Sequence, residues 1–239
     1  ILAQLREDGL SENTIVFFFS DHGRGLPRGK RVLHDTGLHV PMVVYFPKRY
    51  RKLAPSDPGT TTNRLVSFVD FGPSVLSLAG VEIPSHMQGR PFLGKKSTPP
   101  RSYVYGARDR VDEVFDVARS VRNHRFLYIR NYMPHLSWMP PERYSDSSIM
   151  RQDLRRMLSE GSLNKTQMTY AAPRRSREEL YDATSDPHQV HNLASSAEHQ
   201  KVLAEMRNQL ADWQRTSRDL GFMTEPGIRL RFGNVPPIT

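Results

Sequence analysis

Apolar positions fall into two registers along this chain. Thr14 to Ser20 and Val40 to Phe46 are runs of β-branched and aromatic residues almost without a polar break. Such runs spell strands buried on both faces, as in an α/β sheet. Further on the strands are shorter: Arg64–Val69, Ser102–Gly106, Val117–Val121 and Phe126–Asn131. Asn123-His124 offers a hairpin turn before the last of these, and Leu180-Tyr181 reads as one more strand. These later strands predict a small antiparallel sheet. Helical spacing appears in Ile1, Leu2, Leu5 and Leu10, with Gly9 as the stop, and again in Asp70–Ala79, where Asp70 can cap and Pro73 fits the first turn. It returns in Ser148–Glu160, and in Ala197–Leu210, which runs on to Trp213 with Val202, Leu203, Met206 and Leu210 on one face. Lys48–Asn63 and Lys165–Arg177 read as loops, and the tail from Gly221 as extended chain. Pro99 and Pro100 in Ser97–Arg101 mark a boundary, dividing the chain into 1–98 and 99–239.

The loop between the first two strands carries the candidate chemistry. Asp21, His22 and Gly23 follow directly on the first strand, and the carboxyl ends of strands are where α/β sheets place their sites. Gly23 and Gly25 permit a tight turn that lets Asp21 and His22 face one point. A carboxylate and an imidazole are both metal donors. Lys30 follows behind Gly29, with Arg24, Arg28 and Arg31 around it. One metal-like pair beside a cluster of cations suits a tetrahedral oxyanion such as sulfate or phosphate. The same residues also fit a solvated basic loop whose Asp21 caps a turn.

Composition adds a bias without deciding the function. Lys and Arg number 34 against 25 Asp and Glu, a net charge of +9. A positive field concentrates polyanions, although part of a larger protein need not be balanced by itself. There is no cysteine, so disulfides say nothing of the compartment. No apolar run reaches membrane-spanning length. The charged stretch Ala107–Asp116 lies between two strands, and Tyr132–Tyr144 is an irregular aromatic loop with His135 and Trp138. Aromatic faces can stack on sugars or simply pack.

Two separated motifs carry a family resemblance. Ser20–Pro47 reads S-D-H-G, then G-K-x-x-L-x-D-x-G-L-H-V-P, with Asp21, His22, Gly29, Lys30, Leu33, Asp35, Gly37, Val40 and Pro41 in register. Glu179–Ala194 reads E-L-Y-D, then D-P, then N-L-A. In this order they resemble the sulfatases, sulfuric ester hydrolases of the alkaline-phosphatase-like superfamily, and most of all the members that act on sulfated sugars and sulfamates. The resemblance implies an α/β fold: the C-terminal part of the catalytic domain, then a small α+β subdomain with an antiparallel sheet. It implies hydrolysis of a sulfate ester, or of a sulfamate, of a sulfated carbohydrate. The implied cofactor is a divalent ion, Ca²⁺, with Asp21 and His22 as two of its ligands. Lys30 is then the catalytic cation on the sulfate. The charged stretch of the smaller domain folds over the pocket mouth in sugar-active members, which makes Arg108, Asp109, Arg110, Asp112 and Glu113 candidates for the sugar. His34 is near enough in sequence to reach the pocket, His39 stands where many members carry Arg, and Arg119 and Arg122 belong to a structural strand.

The sequence opens inside a helix without a methionine, so it is expected to be a C-terminal piece. The nucleophile, a formylglycine made in a C/S-x-P-x-R motif, and two more metal-binding Asp residues are expected upstream, in the N-terminal half of the same protein. The resemblance also implies a periplasmic or secreted protein, with no nucleic acid and no membrane as partner. Two rivals stay open: a phosphodiesterase or phosphonate hydrolase of the same superfamily, and a non-catalytic basic fragment that binds polyanions.

Overall fold

The computed structural model describes residues 1–110 and 112–233. In chain order its elements are α1 (Leu2–Glu7), β1 (Val16–Phe19), α2 (Asp35–Leu38), β2 (Met42–Tyr45), α3 (Phe71–Ala79), β3 (Val104–Arg108), β4 (Ala118–Arg122), β5 (Phe126–Asn131), α4 (Arg143–Asp146), α5 (Ile149–Ser159), α6 (Lys165–Ala171), β6 (Glu178–Asp182), α7 (Gln200–Ser217) and α8 (Glu225–Phe232). Helices and sheets mix throughout, as an α/β chain requires, and no helix among the described residues is long and apolar enough to cross a membrane. The chain packs as two units: Ile1–Asp21 with Val40–Val104, and His22–His39 with Tyr105–Thr239.

In the first unit, β1 pairs antiparallel with β2, Val16 opposite Tyr45 and Phe19 opposite Met42. Side chains alternate across a strand, so Phe17 and Val44 turn inward to pack on Phe46, Phe92 and Leu93, together with Phe71 and Leu78 of α3. Their neighbours Phe18 and Val43 are 64% and 60% exposed. The expected burial on both faces is therefore not seen among the described residues: a two-stranded ribbon covers one face only. Arg64–Val69 forms an isolated bridge from Leu65 to Arg101 and one 3₁₀ turn at Phe68–Asp70, not a strand. Asp70 does more than cap. Buried, it accepts hydrogen bonds from the Ser67 N–H at 3.0 Å, the Arg90 N–H at 2.7 Å and Arg101 Nε at 2.9 Å. That welds the turn before α3 to the chain after it. Gly80 ends α3 in the left-handed conformation at φ 72°.

The second unit is built on a four-stranded sheet in the order β3-β4-β5-β6. β5 runs antiparallel to β4, Ala118 opposite Asn131, and to β6, Phe126 opposite Asp182. Asn123 makes the expected hairpin, its Oδ1 accepting from the N–H groups of Arg125 and Phe126. On one face Ala118, Leu127, Ile129 and Tyr181 pack with Val32, Leu33, Trp138 and Met139. On the other, α7 lies against β4 and β5 and buries Leu203, Met206 and Leu210. The loop from His22 to His39 is thus one layer of this unit. α6 appears where a loop is expected. Its signal is Asn164, whose side chain accepts from the Gln167 N–H while Gln167 reaches back to the Asn164 N–H, a capping box closed on both sides. The tail from Gly221 is helical over Glu225–Phe232, opened by the Thr224 side chain and Pro226; its last residues, 234–239, lie outside the described ones.

Candidate functional site

The second unit carries an open cavity of about 480 Å³. His22, Lys30 and Arg31 reach it from the 22–39 loop, Arg108 from β3, Glu142 and Tyr144 from the start of α4, and Arg151 and Tyr170 from α5 and α6. The loop holds its shape by backbone bonds: the Gly23 N–H donates to Gly37 O at 2.9 Å and the Lys30 N–H to Arg24 O at 2.8 Å. Gly23 matters here for space. A Cβ on it would stand 1.8 Å from Thr36 O, whereas one on Gly25 would meet nothing within 4 Å. The left-handed turns fall instead on Arg28, at φ 61°, and Arg31, at φ 76°.

The second motif is what anchors the first. Glu179 is buried between the loop and the sheet. Its Oε1 accepts from Asn131 Nδ2 at 2.6 Å and Trp138 Nε1 at 3.0 Å. Its Oε2 accepts from Tyr181 Oη at 2.7 Å and His34 Nε2 at 3.2 Å. Burial by itself would raise the Glu179 pKa, but His34, Tyr181 and Asn131 hold it down to about 2. Burial pushes the His34 pKa below its ordinary value. His34 is accordingly a neutral imidazole with its proton on Nε2, facing an ionised carboxylate. Ten residues on in the same motif, the Gln189 side chain accepts from the Asp35 N–H at 2.9 Å. The guanidinium of Arg28 donates to the carbonyls of His188 and Gln189. His34 is therefore a structural pin. His39 caps α2 at an exposed position.

The charges of the wall are largely matched. Arg31 pairs with Glu142 and Asp112 and donates to Ser145 Oγ at 3.1 Å. Arg108 pairs with Asp116 at 3.1 Å and donates to Arg31 O at 2.9 Å; burial lowers its pKa, and Asp116 works against that. Arg151 donates to Asp146 at 2.9 Å and to Pro140 O at 2.6 Å. Lys30 differs. Among the described residues it makes no ion pair, and its Nζ lies 5.4 Å from the centre of the Tyr144 ring. An anion entering the cavity thus finds one wall cation whose charge is not already met by a carboxylate.

Of the five residues expected at the sugar, Arg108 lines the cavity. Asp112 is a brace for Arg31, and Glu113 accepts from the Arg143 N–H at 2.6 Å, fixing the first turn of α4. Arg110 pairs with Glu225, and Asp109 with Arg119 at 2.9 Å. Val111, in the middle of this stretch, lies outside the described residues. Arg119 is fully buried and is held also by Asp219, while Arg122 reaches Asp35 at 3.2 Å. Glu142 and Tyr144 fall in the aromatic stretch 132–144, and Arg31, paired with Glu142 and donating to Ser145, ties that end of it to the loop; Arg151 was not legible as lining.

Asp21 closes the first stretch of the first unit and His22 opens the second unit. The His22 Nδ1 donates to Gly23 O at 2.6 Å. Among the described residues no group of three or more His, Asp or Glu side chains could hold a metal ion. A calcium ion takes six to eight oxygen ligands, so the two donors of this chain do not make a site by themselves. The spelling S-x-P-x-R, expected only upstream, does occur once, at Ser97–Arg101. Ser97 is exposed there and Arg101 is taken up by Asp70.

A family model described as Sulfatase matches residues 1–81. An ulvan-active sulfatase of Formosa agariphila is 44% identical over 213 residues, covering 89% of this chain and 35% of the relative. The human N-sulphoglucosamine sulphohydrolase is 27% identical, covering 95% of this chain and 47% of the relative. The chain therefore spans less than half the length of these curated relatives. A solved 2-O GAG sulfatase shares the fold with a TM-score of 0.64 at 23% identity, over 92% of this chain and 40% of that one. The two motifs that meet at Glu179, the family match over the loop and the relatives aligned across both units agree: the chain belongs to the sulfatase family.

Proposed function

We propose that the intact protein hydrolyses a sulfate ester of a sulfated carbohydrate, and that Lys30 is the group in this chain that binds the sulfate. The observation that carries this reading is the charge pattern of the cavity wall. Arg31, Arg108 and Arg151 are each matched by carboxylates, while Lys30 makes no ion pair among the described residues and lies against the Tyr144 ring. A sulfate monoester brings a single negative charge, spread over three oxygens. An ammonium with three donors can meet those oxygens directly, and it lowers the barrier if charge grows on the bridging oxygen as the S–O bond breaks. The sulfatase relatives supply the reaction class, and the ulvan-active and N-sulphoglucosamine enzymes supply the carbohydrate.

The remaining parts are proposed on the family resemblance. The nucleophile is a formylglycine from outside this sequence. A divalent ion, Ca²⁺, takes Asp21 and His22 among its ligands and needs carboxylates from outside this sequence as well. The protein works in the periplasm or outside the cell. The test is release of inorganic sulfate from a sulfated polysaccharide and from a small aryl sulfate by the intact protein. Lys30→Ala should lower kcat/KM on both substrates by about 10²- to 10³-fold, with the unfolding midpoint unchanged. Phosphate or phosphonate hydrolysis exceeding sulfate release would move the chain to the phosphohydrolase reading.

A further inference from the structure

Tyr144 stands in the cavity wall, 65% exposed, on the short helix α4. Two cations lie against its ring: Lys30 Nζ at 5.4 Å and Arg31 Cζ at 5.2 Å from the centroid. They are held very differently. Arg31 is fixed by Glu142, Asp112 and Ser145. Lys30 has a flexible four-carbon stem and no ion pair among the described residues, so its ammonium takes its place from the ring.

The turn that carries the ring is braced. Glu113 accepts from the Arg143 N–H at 2.6 Å, and Asp146, at the end of α4, accepts from the Glu142 N–H at its start at 2.9 Å. Asp146 is in turn gripped by Arg151 and Arg155. The negative face of a phenol ring attracts a cation within about 6 Å, and both cations meet that criterion.

We propose that Tyr144 is a positioning residue for Lys30: its ring holds the ammonium where the sulfate is bound. The proposal rests on the reading of Lys30 as the sulfate-binding group. Leucine at this position keeps the apolar bulk and loses the ring face, whereas phenylalanine keeps the face and loses only the hydroxyl. In the intact protein, with a small aryl sulfate as substrate, Tyr144→Phe should stay within about twofold of wild type, and Tyr144→Leu should lose about tenfold in kcat/KM. In a Lys30→Ala background the leucine substitution should cost nothing more, because the cation it served is gone. A merely structural role predicts the opposite, the same loss with or without Lys30.

Equal damage from Phe and Leu, or a tenfold loss that persists without Lys30, overturns the proposal. So does wild-type activity of Tyr144→Leu. If Lys30→Ala by itself leaves the rate unchanged, the sulfate-binding reading falls first and this one with it. If Lys30→Ala is deficient and Tyr144→Leu is not, only the positioning role fails.

Discussion

Glu179→Gln perturbs the joint between the two sequence motifs by the smallest possible change, one carboxylate oxygen replaced by an NH2 group. The carboxylate accepts four hydrogen bonds, from Asn131, Trp138, Tyr181 and His34. A glutamine puts two donors where an oxygen faced donors, so some of these bonds become N–H against N–H or O–H. The wild-type pKa of about 2, against an ordinary 4.5, puts the preference of the folded state for the ionised form at roughly 3 kcal/mol. Loss of that preference should lower stability at pH 7 by a similar amount. The sign follows from proton binding. The folded pKa is depressed, so the stabilisation is complete above pH 4.5 and fades as pH falls toward 2. With those two values it is worth about 1.4 kcal/mol at pH 3. His34 adds to the same trend: its lowered pKa means that the unfolded chain takes up the proton first, so stability falls below its ordinary 6.5. Denaturant unfolding, followed by tryptophan fluorescence, reports the site directly, since Trp138 donates to Glu179. The difference between wild type and Glu179→Gln should be about 3 kcal/mol at pH 7 and less than half of that at pH 3. A difference below about 1 kcal/mol at pH 7, or one that is flat from pH 7 to 3, refutes this role for Glu179.

Gly23→Ala places a Cβ 1.8 Å from Thr36 O, a backbone atom that cannot turn aside; stability should fall by about 2 kcal/mol in a thermal melt, and kcat/KM should fall with it because the same loop carries Lys30. Arg119→Ala strips the partner from Asp219 and Asp109 around a fully buried guanidinium; it should cost about 1–3 kcal/mol of stability in denaturant unfolding, with KM for a small aryl sulfate unchanged in the protein that stays folded.

Much of the architecture could be read from local patterns. The Asn123 hairpin, the Gly80 stop and the Leu203-Met206-Leu210 stripe each depend on residues within a turn or two of each other, and each stands where local spacing puts it. α6 was missed although its capping box is equally local, because the basic and polar residues around Asn164 hide it. The one-sided burial of β1 was not legible, since an unbroken apolar run says what a strand can bury but not what covers it. Of the residues that line the cavity, Lys30 and His22 stand in the first motif and Arg108 in the charged stretch. The role of Glu179 was not legible: the sequence shows a matching signature, but only folding shows that its first residue pins His34 of the other motif. What the charge of Asp112 and Glu113 meets within the chain was not legible either: Arg31 for the first and the Arg143 N–H for the second.

A structure of the intact protein with a sulfated saccharide bound tests the central claim most directly. The sulfate should lie in the cavity of the second unit, with one of its oxygens about 2.8 Å from Lys30 Nζ and the ammonium still over the Tyr144 ring. A sulfate bound away from Lys30, or paired instead with Arg31 or Arg108 after release of Glu142 or Asp116, contradicts it.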